Sequence, residues 1–390
     1  MVPKCFTPLN DFVSKNAPIC YGILKPGNHI SDGVPVVKVK NIHGGKVDID
    51  GLLKTSQEIH KQYKRAELAT GDVLLTIRGT TGRVAITPPE LNGANITQDT
   101  ARIRVSTDDC TTYIFYALQA PQTQWQIELN TVGQAVKGIN IAEVKKLNIY
   151  HPPQKEQRKI AQILSTWDRG IATTEKLINA SKQQKKALMQ QLLTGKKRLI
   201  DPETGKAFEG GWEDVKLGEI SYITTGNSNR EDSSLDAEYT FFDRSEDIRK
   251  SSRYLFDSEA VIVAGEGQDF IPKYFKGKFD LHQRTYAIMN FEKSVGKFLY
   301  YYIGFTRHYF LSQAVGSTVK SLRLPMFQKM PIQLPSKDEQ QKIASVLTAA
   351  DKEIELLVAK LAHLKQEKKA LMQQLLTGKR RVKVAETEAA

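Results

Sequence analysis

Cysteine is scarce in this 390-residue chain: Cys5, Cys20 and Cys110 are the only three, with no Cys-x-x-Cys pair among them. That excludes a disulfide framework and a cysteine zinc site, and it leads to the expectation of a cytoplasmic protein. Long apolar runs are missing too. None approaches the roughly 20 residues of a membrane span, and the opening MVPKCFTPLN lacks the layout of a signal peptide. The histidines, His29, His43, His60, His151, His282, His308 and His363, show no metal-ligand spacing. Gly79-Thr80-Thr81-Gly82-Arg83 and Gly265-Glu266-Gly267-Gln268 lack the Lys-Ser/Thr that a phosphate loop needs, and read as turns. His151-Pro152-Pro153-Gln154 lacks the polar acceptor and stacking ring of an adenine methyltransferase loop, and no carboxylate pair is placed as a nuclease would need. No metal and no cofactor of its own is therefore expected. The residues point to a binder.

What is present is a repeat. KKALMQQLLTGK at Lys185–Lys196 returns unchanged at Lys368–Lys379, an offset of 183 residues. Glu156-Gln157, Ile160-Ala161, Leu164, Asp168 and Ile171 recur at the same offset as Glu339-Gln340, Ile343-Ala344, Leu347, Asp351 and Ile354. Gly133, Lys137, Ile149 and Pro152 recur as Gly316, Lys320, Ile332 and Pro335. An ungapped register of that length is an internal duplication, and it dictates the architecture.

Each copy reads as one long helix, entered through Pro152-Pro153 or Pro335 and closed by Gly195 or Gly378. Steps of four and three residues mark a stripe through Ile160, Leu164, Trp167, Ile171, Thr174, Ile178, Ser181, Lys185, Leu188 and Leu192. Its partner runs through Ile343, Leu347, Ala350, Ile354, Leu357, Leu361, Leu364, Lys368, Leu371 and Leu375. A mean period of 3.5 sustained that far is a coiled-coil seam. Antiparallel pairing within one chain is the preferred geometry, and intermolecular pairing fits the same pattern. Gly170 marks a candidate kink in the first copy.

Length suggests two or three domains. The expected boundaries are 1–151 for a first globule, 152–198 for the first helical region, 199–334 for a linker and second globule, and 335–390 for the second helical region and tail. The fold class expected is α+β, with two mixed α/β globules, an antiparallel helical pair and pseudo-twofold symmetry. In the first globule Val34–Ile42, Val73–Arg78 and Ala101–Val105 read as strands, and Thr111–Leu118 as a helix. In the second, Tyr239–Asp243, Ala260–Ala264 and Thr285–Asn290 read as strands, and Val295–Phe305 as a helix. Thr131–Asn140 and Ala314–Leu322 are matching loops.

The net charge of +13 is not spread evenly. Residues 155–198 hold eleven Lys/Arg against three Asp/Glu, and residues 337–383 hold eleven against six, which accounts for the whole excess. Any DNA-facing surface on the globules must come from segregated charge. Base edges are read by Arg, Lys, Asn and Gln, and phosphates are met by Lys and Thr. The first globule offers Lys38, Lys40, Asn41, Arg78, Thr81, Arg83 and Lys137; the second offers Arg244, Gln268, Lys273, Gln283, Arg284 and Lys320. Lys137 and Lys320 survive in both copies, which suits a phosphate contact or structural role.

Variable globule, repeated helix, variable globule, repeated helix resembles the specificity (S) subunit of type I restriction–modification enzymes. The carrying residues are Leu217-Gly218-Glu219-Ile220, Lys137-Gly138-Ile139-Asn140, the helix starts Glu156–Ala161 and Glu339–Ala344, and the helix end Leu188–Gly195. Leu9-Asn10-Asp11-Phe12 departs from the Trp and Gly of its counterpart at the second globule's entry. The resemblance implies two target-recognition domains, each reading half of a bipartite sequence in double-stranded DNA. It implies helices that set the spacer and dock two modification (methyltransferase) subunits, which bring S-adenosylmethionine. Motor-nuclease restriction subunits would bring ATP use and cleavage. The competing readings are a self-contained nuclease or methyltransferase, and a coiled-coil tether that binds no DNA.

Overall fold

The computed structural model describes residues 5–134, 136–245 and 247–383; the two ends of the chain, including the tail expected beyond 383, lie outside the described residues. The chain divides into two compact units, Met1–Thr174 with Lys360–Ala390, and Glu175–Ala359. Each is described by itself.

The first unit holds a four-stranded antiparallel sheet in the order Cys20–Tyr21, Thr100–Ile103, Val73–Thr76, Val84–Ile86. A three-stranded sheet, Leu53–Thr55, Val34–Val37, Asn95–Ile96, lies in the same unit. Val73–Thr76 is buried on both faces, so an unbroken apolar run suits it. The helix Thr111–Gln119 buries Tyr113, Ile114, Tyr116, Ala117 and Leu118 against that core. The expected strand Val34–Ile42 is interrupted: after Val37 the chain winds into a 3₁₀ turn, Val39–Asn41. Asn41 supplies the reason, because its Oδ1 accepts the Lys38 N–H at 3.1 Å and pulls the backbone out of the sheet.

The second unit is built on a seven-stranded sheet in the order Tyr222–Thr225, Thr285–Met289, Phe256–Ala264, Lys273–Leu281, Tyr239–Phe242, Arg249–Ser251, Ser233–Ser234. Tyr239–Phe242 pairs parallel with Lys273–Leu281, and the other pairs are antiparallel. The helix Gly296–Phe305 packs Phe298, Leu299, Tyr302 and Ile303 into this unit's core. Both globules begin alike. Phe6–Pro8 pairs with Asn148–Tyr150, and Leu9 N–H then donates to Leu147 O at 2.8 Å. Glu213–Lys216 pairs with Pro331–Leu334, and Leu217 N–H donates to Met330 O at 2.9 Å. The different entry sequence at Leu9–Phe12 thus makes an equivalent entry, because burial of Leu9 and Phe12 substitutes for that of Leu217 and Ile220.

The long helices run over Gln154–Leu192 and Lys337–Leu375, 39 residues each. Gly170 does not interrupt the first; its carbonyl accepts the Thr174 hydroxyl at 2.8 Å within a continuous helix. Every position of both 3.5-spaced stripes is buried or half-buried. Gly195 and Gly378 close the helices with φ of +67° and +64°, and Lys197 and Arg380 N–H groups reach back to Gln191 and Gln374 carbonyls at 3.1 Å, as a left-handed cap requires. In the first unit Ile160 and Leu164 share a core with Leu375 and Leu376; in the second, Ile343 and Leu347 share one with Leu192 and Leu193. Each such side chain, fully buried, contributes about 1.5–3 kcal/mol. Within each unit the two helix segments run antiparallel: Asp168 meets Lys368, while Glu156, earlier in its helix, meets Arg381, later in the chain. Among the described residues no helix is long and apolar enough to cross a membrane.

Candidate nucleic-acid interface

The matching loops have one shape. In the first unit Val132 and Gly138 exchange both backbone hydrogen bonds at 2.9 Å; in the second Val315 and Ser321 do the same at 3.1 and 2.8 Å. Gly133 and Gly316 each sit at φ +118°, and a Cβ there would stand 2.3 Å from the carbonyl oxygen of Val136 or Val319. Only glycine fits that place. The loop's return strand docks on the segment that follows a core strand. Gly79 N–H donates to Lys137 O and Ile139 N–H to Ile77 O, both at 2.9 Å. The second unit pairs Gly267 with Lys320, and Leu322 N–H donates to Gly265 O at 2.7 Å.

This docking gathers some of the candidate residues. Arg78, Thr81 and Lys137 lie along one edge, and Thr81 and Lys137 line a cleft of about 460 Å³ with Gln124 and Trp125. The Arg78 guanidinium is exposed and donates to Gln98 Oε1 at 3.2 Å. Lys38, Lys40 and Asn41 sit together on the 3₁₀ turn or beside it, and only Lys40 of the three is exposed. Arg83 reaches that turn from the far side, donating to Ile42 O at 3.1 Å and Val39 O at 3.4 Å. Its head and the Asn41 carbonyl therefore both hold the local backbone.

In the second unit Arg244, Gln283 and Arg284 surround a cavity of about 230 Å³ with Arg230, Asp243, Glu266 and His282. Arg244, Gln268 and Lys273 line a neighbouring one of about 300 Å³. Lys273 Nζ donates to Ser245 O and lies 6.0 Å from the Phe242 ring centroid. Gln283 Nε2 donates to Asn229 Oδ1 at 2.6 Å. Burial pushes the His282 imidazole below its ordinary value. Lys320 is half-buried in its strand, whereas Lys137 is exposed. Sequence reasoning passed over Trp125, Arg230, Asp243, Glu266 and His282. Asp243, Glu266 and His282 stand next to or near the candidates Arg244, Gln268 and Gln283 in sequence, whereas Trp125 comes to its cleft on the helix Pro121–Leu129.

The helices carry a second set of geometry, and its ties are duplicated residue for residue. Tyr116 Oη donates to Asp168 Oδ2 at 2.6 Å, and Lys368 to Asp168 Oδ1 at 2.5 Å. Tyr301 Oη donates to Asp351 Oδ2 at 2.7 Å, and Lys185 to Asp351 Oδ1. Burial, with the neighbouring carboxylate, raises both phenols well above the ordinary tyrosine range. Glu156 receives Arg381 at 2.6–2.9 Å, and Glu339 receives Arg198 at 2.6 and 2.7 Å. Gln157 Oε1 accepts the Cys110 N–H at 2.9 Å, and Gln340 Oε1 the Val295 N–H at 2.8 Å, each just ahead of a globule helix. The recurring Glu-Gln therefore ties helix start to globule and to the other helix's end. Arg198 and Arg381 share its offset of 183, a signal available in the sequence.

Comparison with known proteins gives a concordant picture. The pattern of the type I restriction modification DNA specificity domain matches twice, at residues 22–183 and 209–366. The chain is 30% identical over 188 residues to the type I restriction enzyme EcoBI specificity subunit of Escherichia coli, a match spanning 48% of this chain and 40% of that one. It is 27% identical over 391 residues to the putative MjaX specificity subunit of Methanocaldococcus jannaschii, spanning 93% and 91%. In fold it is similar to the S subunit of the type I restriction–modification system from M. genitalium, with a TM-score of 0.61 at 15% identity over 96% of this chain and 97% of that one. The HsdS subunit from Thermoanaerobacter tengcongensis aligns with a TM-score of 0.53 at 16% identity over 97% and 98%. Matched in both halves and over far more than half its length, the chain belongs to the type I restriction–modification DNA specificity family.

Proposed function

We propose that this specificity subunit reads a bipartite target in double-stranded DNA, one half through each of its two target-recognition domains, and performs no chemistry itself. The observation that carries the reading is the contrast inside the duplication. The Glu-Arg, Tyr-Asp-Lys and Gln-backbone ties recur in both units. The globules they hold present different side chains. What recurs faces what is common to both halves, namely identical partner subunits and the DNA backbone. What differs faces bases.

On this reading the recognition domains extend over residues 1–151 and within 199–334, and the helical regions over 152–198 and 335–390. The exposed members of the candidate set, led by Arg78 and Lys137 in the first unit and by Arg244, Gln268, Gln283 and Arg284 in the second, meet the duplex. Lys38, Lys40, Asn41, Thr81, Arg83, Lys273 and Lys320 line or support the same surfaces. The helical regions dock two modification subunits, which supply S-adenosylmethionine and methylate adenine. Motor-nuclease subunits join to cleave.

The test is reconstitution. The chain alone, incubated with DNA and S-adenosylmethionine, gives no methylation; with its modification subunit it gives methylation at one bipartite sequence. Turnover by the purified chain alone, or no sequence-specific product in the reconstituted complex, overturns the reading.

A further inference from the structure

At one position beside the matching loops the two units carry opposite charges. Backbone hydrogen bonds fix the correspondence. Ile139 N–H donates to Ile77 O in the first unit and Leu322 N–H to Gly265 O in the second. The next residues, Arg78 and Glu266, then bridge Gly138 and Ser321 in the same antiparallel sense. Arg78 and Glu266 are therefore equivalent places in the two readers.

Arg78 presents its own guanidinium outward. Glu266 does something else. Its carboxylate side chain, 18% exposed, receives Arg284 Nη1 at 2.6 Å and faces Arg244 Nη1 at 3.7 Å, and those arginines are 62% and 61% exposed. Beside it Asp243, 3% exposed, faces Arg230 at 3.3 Å. Carboxylates lie behind, and guanidiniums stand at the mouth of the 230 Å³ cavity. Ion pairs with partners this exposed add little to stability. What such a pair does well is set where a guanidinium stands, through the one charge-assisted hydrogen bond from Arg284, and a placed planar fork is the donor that matches O6 and N7 of guanine.

We propose that Glu266 is a positioning residue that holds Arg284, with Arg244 beside it, for guanine edges. The half-site read by the second unit then contains a G·C pair whose discrimination depends on Glu266. This rests on the DNA-reading function proposed above. A direct role for Glu266 as acceptor of a cytosine amino group is disfavoured, because both its oxygens already face arginines.

The experiment uses the full chain assembled with its modification subunits, and reads the methylated consensus and the rate at each single-base variant of the target. Exchanging residues 199–334 with those of another specificity subunit first identifies the second unit's half-site. Expected for Glu266→Gln and for Arg284→Lys is a loss of discrimination of roughly tenfold or more at the same G·C pair. The other half-site stays as in the parent. A half-site without G·C, full discrimination retained in Glu266→Gln, or a uniform loss at every position alongside a lowered Tm would each overturn the proposal. If the parent complex methylates no specific sequence, the DNA-reading function fails and this inference falls with it.

Discussion

Lys137 and Lys320 occupy the same turn, held by the same glycine geometry, in two globules that otherwise diverge. A residue common to two different half-sites suits a phosphate contact or a structural role better than base reading, and on the function proposed above its partner is phosphate. Lys137→Ala and Lys320→Ala should each weaken DNA binding about equally for all sequences and reduce the slope of log K against log salt by roughly one unit. A changed consensus with an unchanged slope would make them base readers. Arg198, itself half-buried, serves a buried partner. Its partner Glu339 is fully buried and accepts two charge-assisted hydrogen bonds from it. Arg198→Ala leaves that buried carboxylate only the Trp212 indole N–H, at 3.3 Å, and should cost up to about 3–5 kcal/mol, read as a lowered denaturation midpoint; Arg381→Ala, where the arginine is nearly half exposed, should cost less. The lysine loops and the Glu-Gln pair were legible in the sequence because they recur. Arg198 and Arg381 recur likewise, but which carboxylate each meets was not legible, because Arg381 lies 225 residues from Glu156 and pattern alone does not say which face meets which.

Among the elements, the long helices were the most legible, since a 3.5-residue period over 39 residues outweighs any local propensity. The strand Lys273–Leu281 was not legible. With Lys273, Lys276, Gly277 and Lys278 in nine residues it lacks a strand's composition, and it exists because strands on both sides pair with it. If the paired helices measure the distance between half-sites, helix length should appear as spacer length. Four residues inserted between Thr173 and Lys182 lengthen a helix by about 6 Å, or one to two base pairs at 3.4 Å each. They also turn it by roughly 40° beyond a full turn, which the duplex twist partly matches. The expected outcome is a consensus with a spacer longer by one or two base pairs and some loss of affinity. An active variant with the parental spacer would show that the helices do not set it.

For the molecule as a whole, the sequence announced the duplication and hence the α+β architecture, but not how each unit is composed. Modularity is the prediction at this scale. Exchanging residues 1–151 for the same region of another specificity subunit should change one half of the methylated consensus and leave the other intact. A change in both halves would contradict independent readers.

The make-up of the units also bears on the order in which the chain is completed. The second unit, Glu175–Ala359, is one continuous stretch, whereas the first joins Met1–Thr174 to residues made only after the second is finished. Synthesis at about 5–20 residues per second leaves Ile160 and Leu164 waiting roughly 10–40 s for Leu375 and Leu376. During that wait the nascent chain already holds Lys185–Lys196, identical in sequence to Lys368–Lys379, the segment for which the place is kept. The first unit's late occupant thus has an early rival, and the rival is the chain's own duplicate.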